Sequence, residues 1–203
     1  MTDDLFDTAE SSHRIDLPEA DLQLYPCFFS REEADEYLSD LIETVQWSQD
    51  QINIYGQQHL VPRLSAWYAN HGKSYQYSGI RLQGLPMLPT LTKIKQKVEA
   101  VSAVKFNSVL ANRYRNGADG VGWHADDEPE LGSEPVIASV SFGEERSFQL
   151  KHKEDKHLKG SFMLPHGSLL IMRGPTQEKW LHQIPKSAKQ LQERVNLTFR
   201  VIQ

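Results

Sequence analysis

Three residues in this chain have the chemistry of metal ligands. His124 and Asp126 are spaced as H-x-D within Trp123-His124-Ala125-Asp126-Asp127, and His182 follows later. On an extended strand, residues i and i+2 point to the same face. His124 and Asp126 could then reach one ion, with His182 completing the set from a later strand. Two imidazoles and one carboxylate form the facial triad of non-haem Fe(II) oxygenases, which leaves one face of the octahedron open for a co-substrate and O2. The same ligands also suit zinc.

A second pattern lies at the C-terminus, where Arg194-Val195-Asn196-Leu197-Thr198-Phe199-Arg200 alternates strictly. Arg194, Asn196, Thr198 and Arg200 share one face, and Val195, Leu197, Phe199 and Val201 share the other, which reads as core. A water-facing edge strand would carry such a polar row. So would a cradle for a small dicarboxylate, which arginine grips bidentately. Asn112 and Tyr114 form another i, i+2 pair just after the apolar run Val109-Leu110-Ala111. A metal triad beside a dicarboxylate cradle implies 2-oxoglutarate as co-substrate.

These residues need a rigid frame, and the rest of the sequence outlines one. Residues 1–20 are polar and without apolar period, which suggests a mobile acidic tail. Ser30 and Glu33 form an S-x-x-E capping box ahead of Ala34, Tyr37, Leu38, Leu41, Ile42 and Val45 at helical spacing. A second helix is predicted over Pro89–Val101, with Leu91, Ile94, Val98 and Val101 inward. From residue 106 the texture becomes β-rich: Phe106–Tyr114, Val136–Phe142, Ser147–Lys151, Ser161–Leu164, Ser168–Met172, Trp180–Ile184 and Arg194–Val201. Such spacing suggests an antiparallel sandwich or small barrel. The expected organisation is a single catalytic domain over 21–203, with helices and a lid in 21–105 and the β core in 106–203.

Bulk properties limit the alternatives. The 203 residues suit one domain, and 39% hydrophobic residues allow a packed core. No apolar run approaches the ~20 residues that cross a bilayer, so no membrane role is expected. The acidic start does not resemble a signal peptide. One cysteine, Cys27, excludes a disulfide framework or a Cys-rich metal site and fits a reducing compartment. The formal charge of −5 hides an asymmetry. Residues 1–50 hold 14 acidic and 2 basic residues, whereas 51–203 hold 13 and 20. A basic body behind an acidic front is compatible with a polyanionic partner.

Taken together, Asn112-Arg113-Tyr114, His124-Ala125-Asp126, His182 and Arg194–Arg200 resemble, in that order, the AlkB family of Fe(II)/2-oxoglutarate nucleic-acid dealkylases. Pro135–Gly143 and the turn His166–Leu170 match too, and the resemblance covers about residues 50–203. It is closest to the members that repair duplex DNA. The resemblance implies a mainly β (α+β) fold with a double-stranded β-helix, or jelly-roll, core, N-terminal supporting helices and a nucleotide-recognition lid. It implies His124, Asp126 and His182 as iron ligands, and Asn112, Tyr114, Arg194, Asn196, Thr198 and Arg200 around 2-oxoglutarate, one C-terminal arginine taking the distal carboxylate.

On the substrate side, Ser74–Gly79 resembles the family's lid, with Tyr75, Tyr77 and Ser78 as contacts and Tyr77 stacking on the extracted base opposite His124. Asn53-Ile54-Tyr55-Gly56 resembles a finger that fills the gap left by that base. Tyrosines among glycines suit base stacking, worth ~1–3 kcal/mol per base. Asp127 and Glu128 would favour a base made cationic by N-alkylation, and which of the two contacts it is open. Arg63, Arg81, Arg113, Lys151, Lys153 and Arg173 are candidate phosphate contacts. The implied reaction is oxidative demethylation of 1-methyladenine and 3-methylcytosine in DNA, releasing formaldehyde, by a monomer acting at the nucleoid of a bacterial cytoplasm or in a eukaryotic nucleus. An RNA demethylase of the family, a hydroxylase of proteins or small molecules, and a non-enzymatic jelly roll remain alternatives.

Overall fold

The structure, a computed structural model, describes residues 12–54, 57–70, 74–77 and 80–203. In chain order the elements are β1 (His13–Ile15), β2 (Asp21–Tyr25), α1 (Arg31–Thr44), β3 (Gln51–Ile54), β4 (Gln57–Leu60), β5 (Leu64–Ala69), β6 (Ser74–Tyr77), β7 (Ile80–Gln83), α2 (Pro89–Ser102), β8 (Ser108–Tyr114) and β9 (Val121–His124). There follow β10 (Ile137–Gly143), β11 (Arg146–His152), β12 (Lys159–Leu164), β13 (Ser168–Arg173), the one-turn α3 (Thr176–Lys179), β14 (Trp180–Ile184) and β15 (Arg194–Arg200).

Both long helices begin where local chemistry requires. The Ser30 hydroxyl accepts from the Glu33 N–H and the Glu33 carboxylate accepts from the Ser30 N–H, so the expected capping box is present. Pro89 opens α2, where its missing N–H is harmless, and Ala103 closes it in the left-handed region. Leu91, Ile94 and Val98 are fully buried, matching the predicted inward face.

The strands form two antiparallel sheets. The larger has the order β1-β2-β13-β10-β15-β8-β5 and the smaller β12-β11-β14-β9. The helices cover the outer face of the large sheet, where Val109, Ala111, Val140, Val195, Leu197 and Phe199 pack against Leu41, Leu91 and Ile94. A second core, including Leu22, Leu110, Phe148, Leu150, Leu170 and Trp180, fills the space between the sheets. This facing pair is the double-stranded β-helix. Two hairpins, β3–β4 and β6–β7, stand outside the two sheets. Among the described residues no helix is long and apolar enough to cross a membrane.

Two expectations change. The polar leader is structured from His13, because β1 pairs with β2 and the Trp180 indole donates to the Pro18 carbonyl at 3.0 Å. A three-residue edge strand buries too little to leave an apolar period; residues 1–11 lie outside the described residues. The N-terminal half is also not only helices and lid, since β2 and β5 extend the large sheet. β5 is buried on both faces, so Ser65-Ala66-Trp67-Tyr68-Ala69 shows no alternation to read.

Candidate metal centre

His124 and His182 meet as cross-strand partners. β14 and β9 pair His182 with His124, and a register shift between His182 and Ile184 brings the edge strand round. The ring centroids are 4.3 Å apart. Asp126 arrives differently from the expectation. β9 ends at His124, so the carboxylate lies two residues past the strand and not on its pleat. One ligand atom from each of His124, Asp126 and His182 nonetheless lies within 4.8 Å of the others.

The protonation states suit a cation. The Gly122 carbonyl can only accept, so at 2.8 Å it fixes the proton on His124 Nδ1 and leaves Nε2 as a lone-pair donor. His182 stacks on Phe148 at 5.1 Å and 25°. Burial, with the His124 ring beside it, pushes the His182 pKa down to about 3 against the opposing pull of Asp126. Burial likewise lowers His124, outweighing Asp126 and the Gly122 hydrogen bond. For Asp126, burial acts to raise the pKa, but Arg200, His182 and His124 outweigh it and hold the carboxyl ionised. Two neutral imidazoles and a carboxylate are a fit for a divalent cation.

A small cavity opens beside this cluster, lined by the polar face of β15 and by Asn112 and Tyr114 of β8. The polar row is therefore no water-facing edge, since β15 lies between β10 and β8 and all seven of its residues are buried. Arg194 is 1% exposed and rests on the Tyr114 ring at 5.0 Å. Its Nη2 donates to Ser141 Oγ at 2.9 Å, while Nε and Nη1 have no hydrogen-bond partner among the described residues. A buried guanidinium with two unsatisfied donors calls for an anion. A small dicarboxylate fits that demand.

The other predicted contacts line the same cavity with parts of their chemistry engaged. Asn112 Oδ1 accepts from Arg63 Nε at 2.8 Å. Asn196 Nδ2 donates to Ser139 Oγ and to the Val140 carbonyl, and its oxygen accepts from Thr198. Arg200 differs from Arg194: its Nη2 donates to Asp126 Oδ1. The two arginines therefore differ, Arg194 turning unpaired donors into the cavity lining and Arg200 holding the carboxylate of the cluster.

The predicted substrate contacts are not gathered here. Tyr55 and Ser78 lie outside the described residues, as do the side chains of Tyr75 and Tyr77. Neither Asp127 nor Glu128 lines the cavity. Asp127 is ion-paired with Lys153 at 2.7 Å, and Glu128 precedes a single 3-10 turn at Pro129–Leu131. The phosphate assignments also change. Arg63 is buried in the cavity, pulled in by Asn112, because the Gly120 N–H bonds the Pro62 carbonyl and folds that turn onto β9. Arg113 donates to both oxygens of Glu193, and Lys151 sits over the Trp123 ring at 4.5 Å.

Several residues at the site were missed by sequence reasoning, Ser139, Ser141, Phe148 and Gln177 among them. Ser139 and Ser141 share the cavity side of β10, and the alternation Ala138-Ser139-Val140-Ser141-Phe142 would have revealed them. Phe148 and Gln177 leave no such signal, because their roles arise from distant packing.

Comparison with known proteins agrees with this geometry. A family profile described as 2OG-Fe(II) oxygenase superfamily matches residues 21–200. The alpha-ketoglutarate-dependent dioxygenase alkB homolog 3 of Mus musculus is 43% identical over 188 residues, covering 88% of this chain and 65% of that protein. The DNA oxidative demethylase ALKBH2 of Homo sapiens is 40% identical over 188 residues, covering 88% and 72%. The protein of the same name from Arabidopsis thaliana is 37% identical over 221 residues, covering 96% and 70%. This chain thus spans about two thirds of the length of these relatives. The solved structure of OsALKBH1 superposes with a TM-score of 0.64 at 14% identity, covering 94% of this chain and 99% of that one, a likeness of fold alone.

Proposed function

Since the chain belongs to the AlkB family within the 2OG-Fe(II) oxygenase superfamily, we propose that it is a dioxygenase that oxidatively demethylates N-alkylated bases in DNA, with 1-methyladenine and 3-methylcytosine as substrates and formaldehyde as product. The observation that carries this reading is the pairing of the His124–Asp126–His182 cluster with the unsatisfied Arg194 guanidinium in one cavity.

Fe(II) held by His124, Asp126 and His182 would supply, with 2-oxoglutarate and O2, the oxidising power to hydroxylate an N-methyl carbon. The chain's own residues have other tasks. Arg194 receives the distal carboxylate, with Tyr114 stacked beneath it. Asn112, Asn196 and Thr198 shape the polar wall, each held in place by at least one hydrogen bond. Leu110, Phe148, Leu164 and Met172 keep the floor dry. Hydroxylation at that carbon leaves an N-hydroxymethyl group, which collapses to formaldehyde and the restored base.

A base inside a duplex cannot reach the cavity, so the nucleotide must flip out, at a cost of a few kcal/mol. A lesion that blocks Watson–Crick pairing lowers that cost and favours damaged sites before any pocket contact forms. Tyr55, Tyr75, Tyr77 and Ser78 are proposed for the lid and finger on the strength of the family resemblance. Asp127, ion-paired with Lys153, and Glu128 are both proposed for the base contact on the strength of the family resemblance. Within a cell the enzyme would act where DNA resides.

The experiment compares formaldehyde and succinate release from single-stranded DNA, duplex DNA and RNA, each carrying one lesion. Iron-dependent release from either DNA, abolished in His182→Ala, is the expected result. Release from RNA alone would move the chain to RNA demethylation. Succinate formation indifferent to the oligonucleotide would point to a protein or small-molecule substrate.

A further inference from the structure

We propose that Gln177, on the one-turn helix α3, is a positioning residue for the metal carboxylate Asp126. The inference rests on the metal-site reading above. Asp126 lies beyond the end of β9, so no sheet ladder fixes its backbone. Its N–H donates instead to Gln177 Oε1 at 2.9 Å, in a contact where both residues are 1% exposed. The other end of the amide is fixed as well, with Gln177 Nε2 on Met172 Sδ at 3.3 Å.

A second tie joins the same two segments. Lys153 Nζ donates to the Gln177 carbonyl at 2.9 Å and to Asp127 Oδ2 at 2.7 Å. Consecutive residues after β9 are therefore bound to one residue of α3. That helix is itself anchored, since Thr176 Oγ1 donates to the Arg173 carbonyl at 2.6 Å and accepts from the Asp21 N–H at 2.9 Å. α3 runs directly into β14, which carries His182. Thus α3 links the carboxylate arm of the triad to one imidazole arm, while Arg200 holds the carboxylate itself. Groups that orient metal ligands in this way typically alter metal affinity when removed.

The test uses the full chain and Co(II) alone, read by equilibrium titration and by the Co(II) absorption bands, which report ligand geometry. Gln177→Met keeps the volume and removes the acceptor. It should weaken Co(II) binding ~10-fold to 100-fold and shift the bands. Lys153→Met, at a more exposed position, should shift both in the same direction by less. Unchanged affinity and bands in Gln177→Met, with or without a lower melting temperature, would make Gln177 a packing residue and overturn the proposal. If Gln177→Met does not fold, Lys153→Met decides on the same criteria. Failure of the wild type to bind Co(II) would instead reject the metal site.

An independent observation concerns the outer face of the small sheet. Trp123 is 38% exposed there, one residue before His124 on the edge strand β9. It opens a groove shared with Gln149, Lys151, Lys159 and Ser161, whose lining among the described residues holds two lysines and no carboxylate, although the chain carries a net −5. Lys151 Nζ lies over the Trp123 ring at 4.5 Å, so a base would stack there by displacing this flexible side chain toward the backbone phosphates, and an aromatic ring among cations and an amide suits single-stranded nucleic acid. We infer that this groove holds the strand flanking the lesion as it crosses the β9 edge, an inference that rests on the nucleic-acid reading.

Substrate length tests it. Trp123→Ala and Lys159→Ala should raise KM about tenfold on a methylated oligonucleotide of about twenty residues and leave a methylated trinucleotide unaffected. Equal effects on both lengths, or none, would overturn the inference. No turnover of either by the wild type would reject the proposed function itself.

Discussion

Arg200 and Asp126 form an ion pair buried between the sheets, although 74 residues separate them in the chain. The Asp126 carboxylate has two demands on it, from this guanidinium and from the ion that the two imidazoles would share. Arg200 keeps it ionised and aimed whether or not metal is bound.

Removing one partner of a buried pair leaves the other charge uncompensated. Arg200→Leu should therefore lower stability by about 3–5 kcal/mol and weaken metal binding, as read by urea denaturation and Co(II) titration. A stable variant with normal affinity would show that Asp126 does not depend on this partner.

Arg194→Leu should behave differently. Arg194 donates one hydrogen bond to Ser141 and, among the described residues, has two further donors without a partner, which the proposed function assigns to the co-substrate. Its loss should raise KM for 2-oxoglutarate by about a hundredfold or more, since a charge-assisted bidentate contact is lost, while Co(II) affinity stays near the wild-type value. Similar profiles for the two arginine variants would contradict the division between them.

Acid should weaken the metal-free protein. In the folded state His182 stays neutral down to about pH 3, against an ordinary value of 6.5, and His124 shifts in the same direction. The unfolded chain therefore binds more protons between those limits. Stability contributed by neutral His182 is full above pH 6.5 and declines as the pH falls toward 3. The slope approaches about 1.4 kcal/mol per pH unit for one such histidine. Denaturation in chelator at pH 7 and pH 5 measures it. In His182→Gln the drop should shrink, and an equal drop would assign it to other groups.

Gly143 ends β10 with φ at +86°, and a Cβ there would lie 2.3 Å from the Glu193 carbonyl oxygen and 3.2 Å from Arg194 Cα. Gly143→Ala must displace the start of β15. About 1–3 kcal/mol of destabilisation is expected, together with a raised KM for 2-oxoglutarate because Arg194 moves. Wild-type values for both would mean that this close approach is dispensable.

Much of the frame was legible because it is written in local periodicity. The capping box at Ser30–Glu33, the inward face of α2 and seven of the eight strands after residue 106, β8 and β10–β15, follow from spacing alone. The strands β1, β2 and β5 were not read. β1 is too short and polar, and β5 is buried on both faces, so neither alternates. Asp126 was expected on a strand beside His124, but the strand stops early and Gln177 takes over its support.

Which side chains could bind a metal and a dicarboxylate, and the polar and apolar faces of the C-terminal strand, are legible in the order of residues. Side-chain chemistry and the two-residue repeat of a strand are properties of the chain. Only the packing of distant segments brings Arg200 onto Asp126, sets Arg194 in the cavity lining, turns Arg63 inward and pairs Lys153 with Asp127. Those outcomes depend on which strands become neighbours and in what register, and pairing between residues so far apart leaves no local mark.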